Sequence, residues 1–205
     1  MSTIKTIIFD FGDVFINLDK QGAMQNALNL FQLEDLPEDL IAINTLYEQG
    51  LISTKEFIAF YTDNFPHLSQ KDIVNAWNFI LKDFPIHRLE FLKSLVKDNN
   101  YQLILLSNTN DLHITWIKDR VSFYDEFKTC FHKFYLSHEI KLRKPNRDIY
   151  EFVLTENNLK AEACLFIDDT KANTDAASKL GIHTWNIDET KEDVINLFNI
   201  KKDLF

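Results

Sequence analysis

The sequence predicts an α/β fold of three layers, with a parallel sheet between helices and one inserted block of helices. Three observations support this prediction. Several short apolar runs lack the alternation of apolar and polar residues, which is typical of strands buried on both faces. Segments with helical spacing separate the later runs, as in repeated strand–helix units. One long stretch after the first run contains only helical patterns, which indicates the insertion.

Five apolar runs are candidate strands of this sheet. Each is short and rich in Ile, Leu, Phe or Tyr, and polar or turn-forming residues bound it. The four strong candidates occupy residues 6–10, 103–108, 163–169 and 182–187, and a weaker one occupies 133–137.

The segments around the later runs have the spacing of amphipathic helices. Leu89, Leu92 and Leu95 fall on one face of the first of them. Gly181 is placed to close another, because glycine readily adopts the left-handed conformation that ends helices. Predicted helices occupy residues 85–98, 147–158 and 172–181 and, as an amphipathic segment at the C-terminal end, 189–205.

Residues 20–84 form the inserted block. Ser53 followed by Glu56 matches a capping box, and Ser69 with Asp72 is a weaker version of the same signal. We therefore predict two domains: a Rossmann-like core built from residues 1–19 and 85–205, and a helical domain over residues 20–84.

The composition limits the function. The 205 residues carry a net charge of −9, which argues against nucleic acid or an anionic membrane as a partner. No apolar stretch reaches the roughly 18 residues of a membrane span, and the N-terminus lacks a signal-peptide pattern. Cys130 and Cys164 show no metal-binding spacing. We expect a soluble cytoplasmic protein, whose partner is a small molecule.

Polar side chains stand at the ends of three predicted strands. Because the carboxyl ends of parallel strands meet along one edge of an open sheet, these side chains should share a crevice. A lysine before Pro145 follows the weaker strand and can join them. The residues concerned are Asp10, Ser107, Asn108, Lys144, Asp168 and Asp169.

Carboxylates crowded into one crevice repel each other unless a cation lies between them. Mg²⁺ is a hard ion that prefers oxygen ligands, so it is the expected cofactor. A serine hydroxyl and a lysine suit a phosphate group bound opposite the metal. An aspartate can then act as a covalent nucleophile and form an aspartyl-phosphate that water hydrolyses. Taken singly, each residue has an ordinary alternative role; Asp10, for example, could simply begin a turn.

Four stretches in this order resemble the motifs of the haloacid dehalogenase-like hydrolases, in particular phosphatases that open with Asp-x-Gly-x-Val. They are IIFDFGDVF, LILLSNTN, IKLRKPNRDIY and CLFIDDTKANTDAASKLGI. The resemblance covers nearly the whole chain and implies that residues 20–84 are a type 1 cap. It also implies Asp10 as nucleophile, Ser107, Asn108 and Lys144 as phosphate-binding residues, and Asp10, the carbonyl of Gly12, Asp168 and Asp169 as metal ligands.

Gly12 departs from the commonest pattern of this family, in which a second aspartate two residues after the nucleophile acts as general acid. Asp13 lies one residue further and should point elsewhere. A missing general acid costs roughly 10²–10⁴-fold in rate, and good leaving groups are affected less. Relatives with glycine at this position include sugar-phosphate phosphatases, so the resemblance points to a sugar phosphate as one substrate class.

Two other functions are compatible with Gly12. A haloacid dehalogenase would use Asp10 against a carbon–halogen bond without a metal, but the pair Asp168 and Asp169 would then be uncompensated. A non-catalytic protein that binds a phosphorylated ligand or regulates another process is the other alternative. It is opposed by four intact residues, Asp10, Ser107, Lys144 and Asp168. His113, just after the second motif, is a candidate for the mouth of the crevice.

Overall fold

The computed structural model describes residues 4–205, and a five-stranded parallel sheet in the order β3-β2-β1-β4-β5 forms its centre. The predicted α/β class is confirmed, and the weaker run is a strand like the other four. The strands are β1 Thr6–Phe9, β2 Gln102–Ser107, β3 Lys133–Leu136, β4 Cys164–Asp168 and β5 His183–Asn186.

The central strand β1 is buried on both faces. Ile7 is in register with Leu103 of β2 and Leu165 of β4, and all three belong to the larger hydrophobic core. Ile8 faces the opposite way and joins a second core with Phe166. The strand order reverses direction between β1 and β4, and open α/β sheets bind their ligands at such a switch point.

Eleven α-helices lie among the described residues, and the last seven of them accompany the sheet. Their positions agree with the helical spacing of the sequence in the segments before β2 and after β3 and β4. These seven are α5 Ile86–Asp98, α6 Asp111–Arg120, α7 Tyr124–Thr129, α8 Ser137–Ile140, α9 Arg147–Glu156, α10 Lys171–Ser178 and α11 Leu197–Ile200.

Four helices precede α5 and bury side chains of their own. A separate cluster of apolar residues includes Phe31, Leu40 and Phe57, and the Tyr47 and Phe57 rings stack with centroids 4.2 Å apart. Ser53 and Ser69 both form complete capping boxes, as predicted. The helices are α1 Lys20–Phe31, α2 Glu38–Glu48, α3 Thr54–Asn64 and α4 Gln70–Asn78.

The two chain segments that lead into and out of these four helices run side by side. The amide of Asn17 donates to the carbonyl of Asp83, and that of Lys82 donates to the carbonyl of Asn17. An isolated antiparallel bridge joins Leu18 to Leu81. The two segments that connect the four helices to the rest of the chain are therefore hydrogen-bonded to each other, at the edge of the sheet where β1 ends.

The predicted amphipathic helix over 189–205 is wrong. The structure has only α11, flanked by the 3₁₀ turns Val194–Asn196 and Lys202–Leu204. Side chains before these turns bind local backbone groups in place of helical bonds, since Glu192 accepts from the amide of Asp188 and Asp193 accepts from that of Ile195. No helix among residues 4–205 has the length and apolar character needed to cross a membrane.

Candidate active site

A cavity of about 310 Å³ opens where β1, β2 and β4 end, next to the four N-terminal helices. We call it the site cavity. Six of the seven site residues predicted from the sequence line it, and Asp168 lies behind its wall. The six are Asp10, Gly12, Ser107, Asn108, Lys144 and Asp169.

The turn after β1 holds Asp10 at this edge. The amide of Asp10 donates to the carbonyl of Ile167 in β4. Beyond it, Phe11 and Phe15 are buried and each packs on Phe127, with ring centroids 5.1 and 5.0 Å apart. Because these apolar side chains are buried in the core, the chain turns after Asp10, and the carboxylate of Asp10 stays at the cavity.

Lys144 is fully buried between two carboxylates. Its ammonium lies 2.9 Å from Oδ1 of Asp10 and 2.6 Å from Oδ2 of Asp168. Burial disfavours the charge on Lys144, but the two carboxylates outweigh burial and raise its pKa above the ordinary value. Lys144 is therefore a fixed positive charge at the centre of the site.

The carboxylate of Asp10 is incompletely paired. Its Oδ1 is buried and has no well-aligned hydrogen bond from any residue between 4 and 205, although the ion pair with Lys144 is close. Burial raises the pKa of Asp10 to about 7; Lys144 lowers it, and the charges of Asp168 and Asp169 raise it further. A bound cation would hold this group ionised.

Both carboxylate oxygens of Asp168 accept hydrogen bonds. Oδ1 accepts from the amide of Thr170 at 2.8 Å, and the Asn173 amide donates to Oδ1 and Oδ2 at 3.0 and 3.1 Å. Oδ2 also accepts from Lys144. Asp168 therefore fixes the position of Lys144 from behind. Sequence reasoning missed Thr170 and Asn173, although both follow the fourth motif directly.

Asn108 holds the backbone of Lys144. Its Oδ1 accepts from the Lys144 amide and its Nδ2 donates to the Lys144 carbonyl, both at 2.9 Å. These bonds occupy the side chain that the sequence assigned to phosphate. Among the described residues, the hydroxyl of Ser107 makes one long contact, 3.4 Å, to the carbonyl of Asn108, which leaves it available to a ligand.

Gly12 and Asp13 form the turn after Asp10. A Cβ on Gly12 would lie 2.7 Å from Cδ1 of Leu18, so a side chain there requires Leu18 to move. Asp13 has a left-handed backbone with φ of 54° and is not among the residues that line the site cavity. Its carboxylate accepts from the amide of Leu18 at 2.8 Å, which stabilises the turn.

Lys20 is a site residue that sequence reasoning missed. Its ammonium lies 2.7 Å from Asp13 and 2.5 Å from Asp169, and it lines the site cavity. It is the first residue of α1, so it joins the helices of residues 20–84 to the strand ends. No motif marks it, because the contact exists only once α1 lies over the sheet.

A second ion pair makes a similar connection. Arg143 donates to Glu48 at 2.9 Å, and both residues line the site cavity. Next to them the hydroxyl of Ser137 donates to the carbonyl of Glu48 at 2.5 Å. The end of α2 is thereby fixed to the segment that carries Lys144.

His113 lines the cavity, as expected, but both ring nitrogens have partners. Nε2 donates to the carbonyl of Trp77 at 3.0 Å, and Nδ1 accepts from the amide of Asn110 at 3.2 Å. Burial lowers the pKa of His113 to about 4, and the bond to Trp77 opposes this shift only in part. A neutral ring with both nitrogens engaged connects α4 to α6 and is not free to donate a proton to a ligand.

The acidic residues at the strand ends suit a metal ion. Ligand oxygens of Asp10, Asp168 and Asp169 lie within 4.8 Å of one another. Mg²⁺ prefers carboxylate oxygens as ligands, and within the described part of the chain Oδ1 of Asp10 lacks an aligned partner. The residues present therefore fit the expected cofactor.

Comparisons with known proteins agree with this chemistry. A family model described as haloacid dehalogenase-like hydrolase matches residues 4–181. The D-ribitol-5-phosphate phosphatase of Bacteroides thetaiotaomicron is 29% identical over 191 residues, which cover 89% of this chain and 91% of that protein.

Solved structures of HAD family enzymes also match nearly the whole chain. The enzyme bt-2542 of Bacteroides thetaiotaomicron in a magnesium complex is 35% identical, with a TM-score of 0.84 over 95% of this chain and 98% of that chain. The same enzyme with magnesium and inorganic phosphate gives 33% identity, a TM-score of 0.77 and coverage of 95% and 99%. A HAD-like family hydrolase from Porphyromonas gingivalis is 26% identical, with a TM-score of 0.81 and coverage of 98% of both chains.

Proposed function

We propose a residue-level mechanism for this chain, which belongs to the haloacid dehalogenase-like hydrolases. It is a Mg²⁺-dependent phosphatase of a small phosphorylated metabolite, and we assign Asp10 as its nucleophile. The observation that supports this assignment best is the buried ammonium of Lys144, which lies 2.9 Å from Asp10 at the floor of the site cavity.

The chemistry proceeds in two steps on Asp10. A carboxylate oxygen attacks phosphorus and forms an aspartyl-phosphate while the ester P–O bond breaks and the alcohol oxygen leaves with the electron pair. Water then attacks the phosphorus, and the Asp10–phosphate bond breaks to give inorganic phosphate. Lys144 balances the negative charge of Asp10 and of the phosphoryl group in both steps.

The phosphate would be held by the hydroxyl of Ser107, the ammonium of Lys144 and the backbone around Asn108. Because the Asn108 side chain binds the Lys144 backbone at both of its polar atoms, we assign it the role of positioning that lysine. Metal ligands would be Asp10, the carbonyl of Gly12 and Asp169, with Asp168 adding its charge from behind. Bound Mg²⁺ supplies positive charge for the phosphoryl group and keeps Asp10 ionised.

The leaving alcohol has no aspartate at Gly12 to protonate it. Asp13 is bound to Leu18 and Lys20, and His113 is neutral with both nitrogens engaged. We therefore assign protonation of the leaving oxygen to solvent water, so activity should fall as the leaving alcohol becomes less acidic. One relative is a D-ribitol-5-phosphate phosphatase, so phosphorylated sugars and polyols are the first substrates to test.

We also propose that residues 20–84 form a cap domain inserted between the two parts of the core. The paired segments at Asn17 and Lys82 and the separate apolar cluster around Phe57 support this division. A chain in which a short Gly-Ser linker replaces residues 20–84 should fold and keep the sheet, with altered substrate preference. Loss of the cooperative unfolding of the remaining core would contradict the two-domain proposal.

The decisive experiment is a measurement of phosphate release across a panel of phosphorylated metabolites, including D-ribitol 5-phosphate, with Mg²⁺ and with excess EDTA. Release that requires Mg²⁺ is the expected result. Full activity in EDTA would contradict the metal assignment. No release from any member of the panel, with Mg²⁺ binding shown by calorimetry, would favour a non-catalytic binding protein.

A further inference from the structure

A second cavity of about 280 Å³ lies within the helices α1–α4 and adjoins the site cavity. We call it the helical chamber. The two cavities share four lining residues, Lys20, Glu48, Ile80 and His113, so they meet at one boundary. The rest of the chamber wall is mainly apolar and includes Ala23, Ala27, Phe31, Leu36, Ile73 and Ala76.

The charged groups at the boundary are already paired. Lys20 binds Asp13 and Asp169, and Glu48 binds Arg143. Inside the chamber, the hydroxyl of Tyr61 donates to Oδ1 of Asn44 at 2.7 Å. That bond satisfies the tyrosine and leaves the amide nitrogen of Asn44 as a donor for a polar atom.

The site cavity alone, at about 310 Å³, has room for a phosphate, a metal ion and a short polar chain. A hydroxylated chain that extended into the helical chamber would lose water from several hydroxyls and find few partners there. Each buried hydroxyl without a partner reduces affinity, whereas each buried apolar carbon increases it.

We infer that the helical chamber binds the organic part of the substrate, and that this part is an apolar group of about the size of a substituted phenyl ring with few polar atoms. The inference rests on the proposed phosphatase function and assigns it a substrate class other than the sugar and polyol phosphates that are tested first. The phosphate lies at Asp10 and Lys144, and the apolar group passes the boundary beside Ile80 and fills the space next to Ala27. Such a substrate differs from D-ribitol 5-phosphate, the open-chain polyol phosphate on which one relative acts.

The test uses phenyl phosphate and its 4-ethyl and 4-butyl derivatives, because para-alkyl groups change the size of the leaving phenol with little effect on its acidity. We expect kcat/KM to rise at least about tenfold from phenyl to 4-butylphenyl phosphate. D-ribitol 5-phosphate should have a lower kcat/KM than the 4-butylphenyl ester. A flat series, or a clear preference for D-ribitol 5-phosphate, would overturn the inference.

Two variants locate the effect. Ala27→Phe fills the chamber and should reduce the ratio of the 4-butylphenyl to the phenyl ester toward one, and the smaller Ala23→Leu should reduce it in part. Ala59→Phe introduces the same side chain at an exposed position of α3 outside the chamber and should keep the wild-type ratio. An unchanged ratio in folded Ala27→Phe and Ala23→Leu would place the apolar group elsewhere.

A binding measurement separates this inference from the proposed function. Calorimetry with 4-butylphenol, in the presence of Mg²⁺ and inorganic phosphate, should show binding to the wild type and Ala59→Phe and about tenfold weaker binding to Ala27→Phe. If none of the esters releases phosphate, the phosphatase proposal fails while this pattern still supports the chamber. If the esters are hydrolysed but 4-butylphenol does not bind, the chamber assignment fails alone.

Discussion

The ammonium of Lys144 lies 2.9 Å from the carboxylate of Asp10, and Lys144 has no exposure to solvent. A buried pair of lysine and aspartate contributes little to the stability of a fold, because the lost hydration of both charges offsets their attraction. Here the pair opens onto a cavity that also contains Ser107 and Asp169. This arrangement suits the binding of an anion by Lys144 and Ser107 and of a cation by Asp10 and Asp169.

Asp10→Asn should eliminate turnover while the protein remains folded. The amide keeps the shape of the side chain but lacks the attacking oxygen, so phosphate release should fall at least about 10³-fold. Beryllium fluoride, which imitates an aspartyl-phosphate, should raise the melting temperature of the wild type with Mg²⁺ and leave that of Asp10→Asn unchanged.

The matched control for this variant is Asp63→Asn, at an exposed position of α3, which should keep wild-type activity. Mass spectrometry should confirm that the asparagine at position 10 has not deamidated. Near-normal turnover in verified Asp10→Asn would show that this strand end is only a turn.

Lys144→Met should destabilise the protein by about 3–5 kcal/mol, since it leaves the carboxylates of Asp10 and Asp168 buried without their cation. Adding Asp168→Asn to this variant should recover part of the loss, because one of the unpaired charges disappears. Urea unfolding in EDTA measures both effects. Lys171→Met, which removes an exposed pair with Asp175, should change stability by less than about 1 kcal/mol. Additive losses in the double variant would show that Lys144 and Asp168 do not stabilise each other.

Lys20→Gln should strengthen Mg²⁺ binding by about two- to fivefold. The ammonium of Lys20 contacts Asp169, a proposed metal ligand, so its removal takes a positive charge away from an incoming cation. The gain should shrink at high ionic strength, because Lys20 is half exposed and salt screens it. Titration calorimetry of the wild type, Lys20→Gln and the exposed control Lys171→Gln measures the affinities. Weaker binding in Lys20→Gln would show that Lys20 organises the ligands and does not compete with the metal.

Stability should decrease in acid because of His113. Burial lowers its pKa from 6.5 to about 4, so the unfolded chain takes up a proton first as the pH falls. The stabilisation is present above about pH 6.5 and is lost between there and about pH 4. His113→Gln can still donate to Trp77 and should reduce this loss by about 1–3 kcal/mol.

Urea unfolding at pH 7 and pH 5 in EDTA gives the difference for each protein. His67→Gln, at an exposed position before α4, should retain the wild-type pH dependence. The same acid sensitivity in His113→Gln and the wild type would show that other groups cause it.

Much of the fold could be predicted from patterns along the chain. The apolar runs at β1, β2 and β4 and the capping boxes at Ser53 and Ser69 depend on neighbours within a few residues. The structure of residues 189–205 could not be predicted in this way. Their spacing favours an amphipathic helix, but Glu192 binds the amide of Asp188 and the indole of Trp185, which favours a local turn. Periodicity does not report which of two local hydrogen-bond patterns forms.

The sequence by itself determined that four residues lie at this edge of the sheet. They are Asp10, Ser107, Lys144 and Asp169, each of which follows a buried strand or a marked turn, and parallel strands bring their ends to one edge. Tertiary structure decided their roles. In the folded chain the side chain of Asn108 binds the backbone of Lys144, and Asp168 lies behind that lysine. Lys20 contacts Asp169, which is 149 positions away in the sequence. The physical reason is that the ends of strands follow from local patterns of hydrophobicity. Hydrogen-bond partners and the helical chamber depend instead on how the four inserted helices pack over the sheet, and no single segment encodes that packing.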